Sequence, residues 1–406
     1  MSQSPLLPQP IFDTLESLEY NQPLLPDYVP DNDFRISREF LLAYRGSPDT
    51  FHSYRREAER FLQWVYLVAK KSLKQIGRKD IENYIYFCQQ PPETWIATKM
   101  VVKFKLKEGL KKPNSEWRPF VIKVPKDAFQ KGKKPLVKSY RLSEPAIRAV
   151  LRILSSYFSF LEMEDYIQSN PVKKLRQKSR FIRKQSKQEP IRRLTELQWD
   201  YLVETAELMA NDNPEHERTL FIVSALYGMY LRISELVESP RWSPMMKCFF
   251  KDTDGNWWFK TVGKGNKERD ITVSSDMLNA LKRYRKFLGL TALPNLTDTH
   301  PLLPKQKGRG GLSSTRHIRD IVQLCFDEAI FRMKKDGMDD DVEGLQIATV
   351  HWLRHTGISD DVKNRPKEHV RDDAGHSSSA ITDRYIDIEK RERHASAKKK
   401  KLRPIQ

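Results

Sequence analysis

Asn170-Pro171, followed by a strongly basic stretch running to Arg193, constrains this chain more than any other feature. An Asn-Pro pair tends to halt a helix, because the residue before a proline is pushed out of the helical region. Residues 171–193 then hold ten Lys and Arg against one acidic residue, which reads as an extended linker rather than a packed element. The 406 residues are enough for two or three domains, each able to bury a core. The reading is a helical domain over 35–170, the basic linker 171–193, a second domain over 194–388 and a basic tail over 389–406. Residues 1–34, rich in Pro, Leu and acids, are too short for a domain and are expected to form a flexible N-terminal segment.

Charge narrows the class of partner. The net charge is +19, and the excess is concentrated in 103–138, 171–193 and 386–406, which together exceed the net charge of the whole chain. Basic clusters at domain edges, interleaved with aromatics, point to phosphate binding and so to nucleic acid. A surface of solvated lysines is the plainer alternative, and an anionic membrane a less common one. No apolar run approaches the roughly 18–20 residues of a membrane span, and the first residues lack an export signal. Cys88, Cys248 and Cys325 are isolated, without metal or disulfide spacing. A soluble protein of a reducing cytoplasm is expected.

The periodicity is mainly helical. Thr50 can cap a helix bearing Tyr54, Ala58, Phe61, Leu62 and Val65 at 3–4 spacing; further helices are expected near Asp80 and from Ser143. Residues 98–138 interrupt this pattern with two short strands, 101–106 and 117–124, whose outward faces are basic. In the second domain Thr195 and Gln198 form a capping-box pair. Helices are expected near 195–210, 215–229 and 232–238, then a β-meander over 247–273 turning at Asp254-Gly255 and Gly263–Lys267. Helices near 275–288, 315–333, 351–362 and 377–386 complete it, with the acidic run 336–343 as a solvated loop. The fold class is α+β, mainly α with a small β-meander.

The chemistry gathers late in the chain. His351-Trp352-Leu353-Arg354-His355-Thr356 places His351 and Arg354 three apart, on one face of a helix, as a cationic clamp for an oxyanion. Gly375-His376-Ser377-Ser378 follows, with Tyr385 nine residues beyond His376. Arg232, in Tyr230-Leu231-Arg232-Ile233-Ser234-Glu235-Leu236, falls where a helix is expected to begin, so an anion there would meet a guanidinium and free N–H groups. Lys264 lies in a Gly-Lys-Gly turn whose glycines let the backbone approach a phosphate. Each has a bland counterpart: a surface arginine, a turn lysine, a core tyrosine. His351 and His355 could be a zinc pair, but no Glu follows the first and no cysteine is near.

Taken in order, Leu-Arg-Ile-Ser-Glu-Leu, Gly-Lys-Gly-Asn-Lys-Glu-Arg, His-x-Leu-Arg-His-Thr and Gly-His-Ser-Ser with a following Tyr resemble the tyrosine recombinase (phage integrase) family over about 195–390. The segment 37–170 is similar to that family's core-DNA-binding domain, with an atypical strand-rich insertion. The resemblance implies a two-domain, C-shaped clamp on double-stranded DNA and a site made of Arg232, Lys264, His351, Arg354, His376 and Tyr385. Tyr385 would attack the scissile phosphate to give a 3′-phosphotyrosyl link and a free 5′-hydroxyl. Arg232 and Arg354 would hold the non-bridging oxygens, and Lys264 would protonate the leaving oxygen, with Lys267 as its rival. His351 would give acid–base assistance to the tyrosine and the phosphate, while His376 would donate a hydrogen bond to the phosphate. His355 would be structural or support the site from behind.

No metal or other cofactor is implied, because the arginines supply the positive charge. The implied assembly is a homotetramer in a synapse, with the tail docked on a neighbour and accessory DNA-bending proteins as further partners; the setting is the nucleoid. An integrase of a phage or other mobile element is the leading reading, ahead of a chromosome-dimer resolvase. A type IB topoisomerase-like enzyme and a non-catalytic DNA-binding protein on the same fold are the alternatives. The chain departs from the family in the polar stretch 363–375, where an apolar helix is usual, and in the insertions at 98–138 and 336–343.

Overall fold

The structure is a computed structural model describing residues 7–20, 25–122, 124, 128, 132–176, 192–263, 265–383, 385 and 397–398. The chain forms two compact units, Met1–Lys187 and Gln188–Gln406, each with its own hydrophobic core.

In the first unit, helices α1 (Leu15–Tyr20), α2 (Asp31–Leu42), α3 (Pro48–Trp64) and α4 (Arg78–Gln89) precede a long α5 (Glu144–Met163). Pro48 at the first position of α3 suits a helix start, where its missing N–H costs nothing. Ser143 caps α5, its Oγ accepting from the Ala146 N–H at 3.4 Å. Phe61 on α3 meets Tyr84 on α4 edge-on at 5.0 Å and Phe158 on α5 at 5.4 Å, so three helices share one aromatic centre.

Two expectations for this unit are corrected. The N-terminal segment is not a flexible tail over its described part: Ile11 and Phe12 are fully buried, and α2 already starts at Asp31. The buried Glu59 carboxylate accepts from the Ile11 and Phe12 N–H groups at 2.7 and 3.0 Å, which pins the strap to α3. The run after Pro171 also does not start as linker. Pro171–Arg176 is a helix, α6, opened by Asn170 Oδ1 accepting from Val172 N–H at 2.9 Å, with Val172 and Leu175 in the core. The expected linker over 177–191 lies outside the described residues.

Among its described residues the interruption at 98–138 contains three short strands, with a fourth just before it. β1 (Ile96–Ala97) pairs in parallel with β4 (Phe120–Val121). β2 (Phe104–Lys107) pairs antiparallel with β3 (Leu110–Pro113) around Glu108-Gly109, both at positive φ, as a tight two-residue hairpin requires. The strand expected over 117–124 is thus only two residues long.

The second unit opens with the Thr195–Gln198 capping box of α7 (Glu196–Asp212), both hydrogen bonds being present. α8 (Glu217–Gly228) is apolar almost all round and buried accordingly, between α7, α9 (Ser275–Phe287) and α12 (Val350–Asn364). Strands β5 (Phe249–Lys251), β6 (Trp257–Val262) and β7 (Glu268–Thr272) form an antiparallel meander in that order. Phe249, Phe259 and Ile271 lie side by side across it and are fully buried, which fixes its register on the core. α10 (Thr315–Lys335), α11 (Asp339–Ile347), α13 (Lys367–Ala374) and α14 (Ser379–Asp383) complete the described elements.

Here too the structure differs from expectation. The helix expected over 232–238 is a single 3₁₀ turn, Ile233–Glu235. The acidic run is helix α11 rather than a solvated loop, because Val342 and Leu345 are buried and Asp339, Asp340 and Asp341 favour the positive end of a helix. The polar stretch before Gly375 is helical as well: α13 buries Val370, Asp373 and Ala374. Of the helix expected over 377–386, the described residues form the five-residue α14; 384 and 386 lie outside them. Among the described residues no helix is long and apolar enough to cross a membrane.

Candidate active site

One concavity of about 1220 Å³ in the second unit is lined by Arg232, His351, Arg354, His376 and Tyr385 together. These come from the turn after α8, from α12 and from the segment after α13, so the pocket unites residues over 150 positions apart. Lys264 lies outside the described residues, while its neighbours Gly263 and Gly265, and Lys267, line the same concavity.

Arg354 sits on α12 with only 4% of its surface exposed. Its Nη1 donates to the Tyr230 carbonyl and its Nη2 to the Ala374 carbonyl, the latter at 2.5 Å. Tyr230, buried and at φ 48°, occupies the left-handed region that a bulky residue rarely adopts. Among the described residues no carboxylate lies within ion-pair distance of Arg354. Burial, then the neighbouring Arg232, therefore push its pKa down to about 9. A buried guanidinium held by two carbonyls and lacking a counter-ion is built to receive an anion.

Arg232 does not start a helix. It stands in extended conformation before the 3₁₀ turn, so an anion there would meet the guanidinium rather than a helix end. Its backbone N–H donates to Glu235 Oε2 at 2.8 Å, its Nη1 to Glu235 Oε1 at 3.0 Å and its Nη2 to the Gly375 carbonyl at 3.3 Å. Glu235 is only 1% exposed and also takes a bidentate pair from Arg269, both bonds 2.8 Å. Burial alone would raise the Glu235 pKa, but the hydrogen bonds and charge of Arg269, then of Arg232, hold it below the usual range. Arg269 Nε donates to the Asp373 carbonyl at 3.0 Å, which ties the meander to α13. A Cβ at Gly263 would lie 2.8 Å from Arg269 Nη1 and 3.3 Å from Arg232 Nη1; glycine is required there by the packing of two guanidiniums.

His376 follows Gly375, which closes α13 in the left-handed conformation at φ 62°. The His376 Nδ1 pairs with Thr382 Oγ1 at 2.9 Å. Burial, then Arg354 and Arg232, push the imidazole down to about 4. His351 is open to solvent on its outer side, yet partial burial in the concavity, then Arg354, Arg319 and Arg232, hold its pKa below the ordinary histidine value. The Tyr385 ring lies 5.5 Å from His355 and 5.7 Å from His376, nearly parallel to the latter. The Tyr385 hydroxyl bonds His355 Nδ1 at 2.6 Å.

Glu235, Arg269 and the His355 contact are the functional features that sequence reasoning did not assign. All three residues stand inside the quoted motif stretches, and Glu235 follows Arg232 by three, the spacing of a reciprocal turn-capping pair. That spacing was the available signal for Glu235. Among the described residues no group of three or more His, Cys, Asp or Glu is placed to hold a metal.

No family model matches the chain. It is 23% identical over 258 residues to the tyrosine recombinase XerC of Leptospira interrogans, covering 63% of this chain and 71% of that protein. Among solved structures it is similar to the XerH site-specific recombinase bound to palindromic difH substrate in a post-cleavage complex. That likeness has a TM-score of 0.53 and 13% identity, over 95% of this chain and 93% of the other. It is also similar to the Tn1549 transposon integrase in complex with transposon right-end DNA, with a TM-score of 0.52 and 14% identity over 89% and 98%. The fold is the α+β fold of tyrosine recombinases and integrases. The likeness to XerC and the shared fold both point to the tyrosine recombinases as the proteins this chain is similar to.

Proposed function

We propose that this recombinase cleaves and rejoins strands of duplex DNA through a 3′-phosphotyrosyl intermediate formed on Tyr385. The observation that carries the reading is the convergence, in one basic concavity, of a tyrosine hydroxyl, three histidine rings and a buried arginine without a carboxylate partner. The scissile phosphate is the missing counter-ion. Arg354 and Arg232 each offer a planar fork suited to two phosphate oxygens, and both act where negative charge grows as phosphorus becomes five-coordinate. Tyr385 supplies the entering oxygen. Lys264, which lies outside the described residues, is the residue proposed to protonate the departing 5′-oxygen. His376 donates a hydrogen bond to the phosphate, and His351 gives acid–base assistance at the tyrosine and the phosphate. The phosphodiester energy is kept in the phosphotyrosyl bond, so rejoining to another 5′-hydroxyl needs no nucleotide cofactor.

Duplex DNA is the proposed partner, supported by the chain's charge of +19 and by the DNA complexes in which the similar XerH and Tn1549 proteins were solved. Four protomers in a synapse, the 389–406 tail on a neighbour and accessory DNA-bending proteins belong to the same proposal. An integrase of a phage or other mobile element is the leading role, supported by the insertion at 98–138, which resolvase-type members usually lack. A Xer-type resolvase is the second reading, favoured by the likeness to XerC.

The test uses nicked suicide duplexes carrying the junctions that flank the encoding gene, so that a short fragment is lost after cleavage. Wild type should form a covalent protein–DNA adduct that resists denaturation and excess chelator, and Tyr385→Phe should form none. Arg354→Lys should slow adduct formation by on the order of 10²-fold, since a single ammonium cannot reproduce the fork. An adduct persisting in Tyr385→Phe would sink the nucleophile assignment. Tight binding without adduct on any junction would favour a non-catalytic DNA-binding role.

A further inference from the structure

The hydroxyl of Tyr385 does not stand free beside the phosphate-facing groups. It is bonded to Nδ1 of His355 at 2.6 Å, whereas the resemblance assigned acid–base assistance to His351, one helical turn earlier on α12. We propose that His355 is the general base of this enzyme, its Nδ1 taking the proton from Tyr385 as the strand is cut and returning it as the strand is rejoined. The inference rests on the reading of Tyr385 as nucleophile and goes beyond it by naming where its proton goes.

Geometry comes first. A general base has to sit within about 2.6–3.2 Å of the proton it removes, and His355 does. The ring is half-buried on α12, next to Arg354, so a packed helix sets its position. The Tyr385 ring also lies 5.5 Å from the His355 ring and 5.7 Å from the His376 ring, centre to centre. His376 is otherwise engaged: its Nδ1 bonds Thr382 Oγ1.

The step balances as follows. Tyr385 Oη forms a bond to phosphorus while its O–H bond breaks and the proton passes to His355 Nδ1. The P–O5′ bond breaks in the same step, its electron pair going to the leaving oxygen, which takes a proton from Lys264. Rejoining reverses every transfer. The reaction needs His355 neutral beforehand, with its hydrogen on Nε2 and a lone pair on Nδ1. The charged and titratable groups around it are His351 at 6.2 Å between ring centres, Arg354 beside it in sequence, and His376 and Tyr385 facing it from the segment after α13. With His355 as the base, His351 is left to the phosphate.

Two measurements test this. In the first, the rate of adduct formation on the suicide duplexes is followed from pH 5 to 9 for wild type, His355→Asn and His351→Asn. Asparagine can still hydrogen-bond the tyrosine but cannot take a proton at these pH values. Wild type should lose rate below the pKa of one base. His355→Asn should be slower by on the order of 10²-fold with that acidic limb gone, and His351→Asn should keep the limb. A His355→Asn protein within about threefold of wild type with the limb intact overturns the proposal, as does a limb lost only in His351→Asn. No adduct from wild type, or one surviving Tyr385→Phe, instead fails the nucleophile reading, and the base assignment falls with it. The second measurement needs no DNA site: the tautomer of His355 in the free protein, read by nitrogen NMR of histidine-labelled chain. Hydrogen on Nε2, with an Nδ1 shift that changes in Tyr385→Phe, is the expected result. Hydrogen on Nδ1 refutes the proposal even if His355→Asn fails to fold.

Discussion

His376 gives the pocket its clearest titration signature. Burial first, and the charges of Arg354 and Arg232 next, push its imidazole down to about 4, against about 6.5 for an unperturbed histidine. As pH falls through about 6.5 the unfolded chain binds a proton at this position, while the folded chain resists until about 4. The contribution to stability is whole above that window and is lost on descending through it. Urea unfolding at pH 7.5 and pH 5 should therefore show a smaller loss for His376→Gln than for wild type; equal losses would mean that the ring is not held neutral by the fold. At this scale much of the site was legible, because Arg232, His351, Arg354, His376 and Tyr385 sit in short stretches of strongly patterned sequence and line one concavity. Glu235 and Arg269 were not assigned. A carboxylate that serves two guanidiniums from different elements has no signature until the chain folds.

At the scale of elements, the crossing of α8 and α12 sets the distance between the two arginines. Gly357 lies at that crossing, and a Cβ there would stand 2.2 Å from the Tyr227 carbonyl oxygen and 3.3 Å from the Tyr230 ring. Backbone cannot yield as a flexible side chain does, so Gly357→Ala should cost about 3 kcal/mol, read as a lowered urea midpoint with unchanged slope. An unchanged midpoint would show that the helices can separate freely. The helix starts were the best-read elements: Ser143 caps α5, and Thr195 and Gln198 form the expected box. What escaped notice was burial decided by distant residues. The acidic α11 hides two apolar side chains, and the proline-rich N-terminal strap is held by a carboxylate 47 and 48 positions away. Composition pointed to solvent in both places, and tertiary contact overrode it.

Over the whole molecule, the α+β character was readable because periodicity reports it directly, whereas the Asn170-Pro171 pair does not end the first unit, which keeps Val172 and Leu175 in its core and runs to Lys187. The two units each keep a separate hydrophobic core. The pocket itself has an uneven charge inventory: Arg232 and Arg269 share the buried carboxylate of Glu235, while Arg354 has no carboxylate within ion-pair distance among the described residues. The free protein consequently holds unrelieved repulsion that a dianion would remove. Sulfate, at the ionic strength of a chloride control, should raise the melting temperature of the second unit more in wild type than in Arg354→Met. Saturation at a hundred times the dissociation constant corresponds to about 2.7 kcal/mol. An equal rise in both proteins would show a general salt effect rather than occupancy of the pocket. By linkage, a duplex whose phosphate fills the pocket would also act as a ligand that stabilises the fold. Protein dwelling on its site should outlast unbound copies against heat and proteolysis, so substrate occupancy would help set how long each molecule survives.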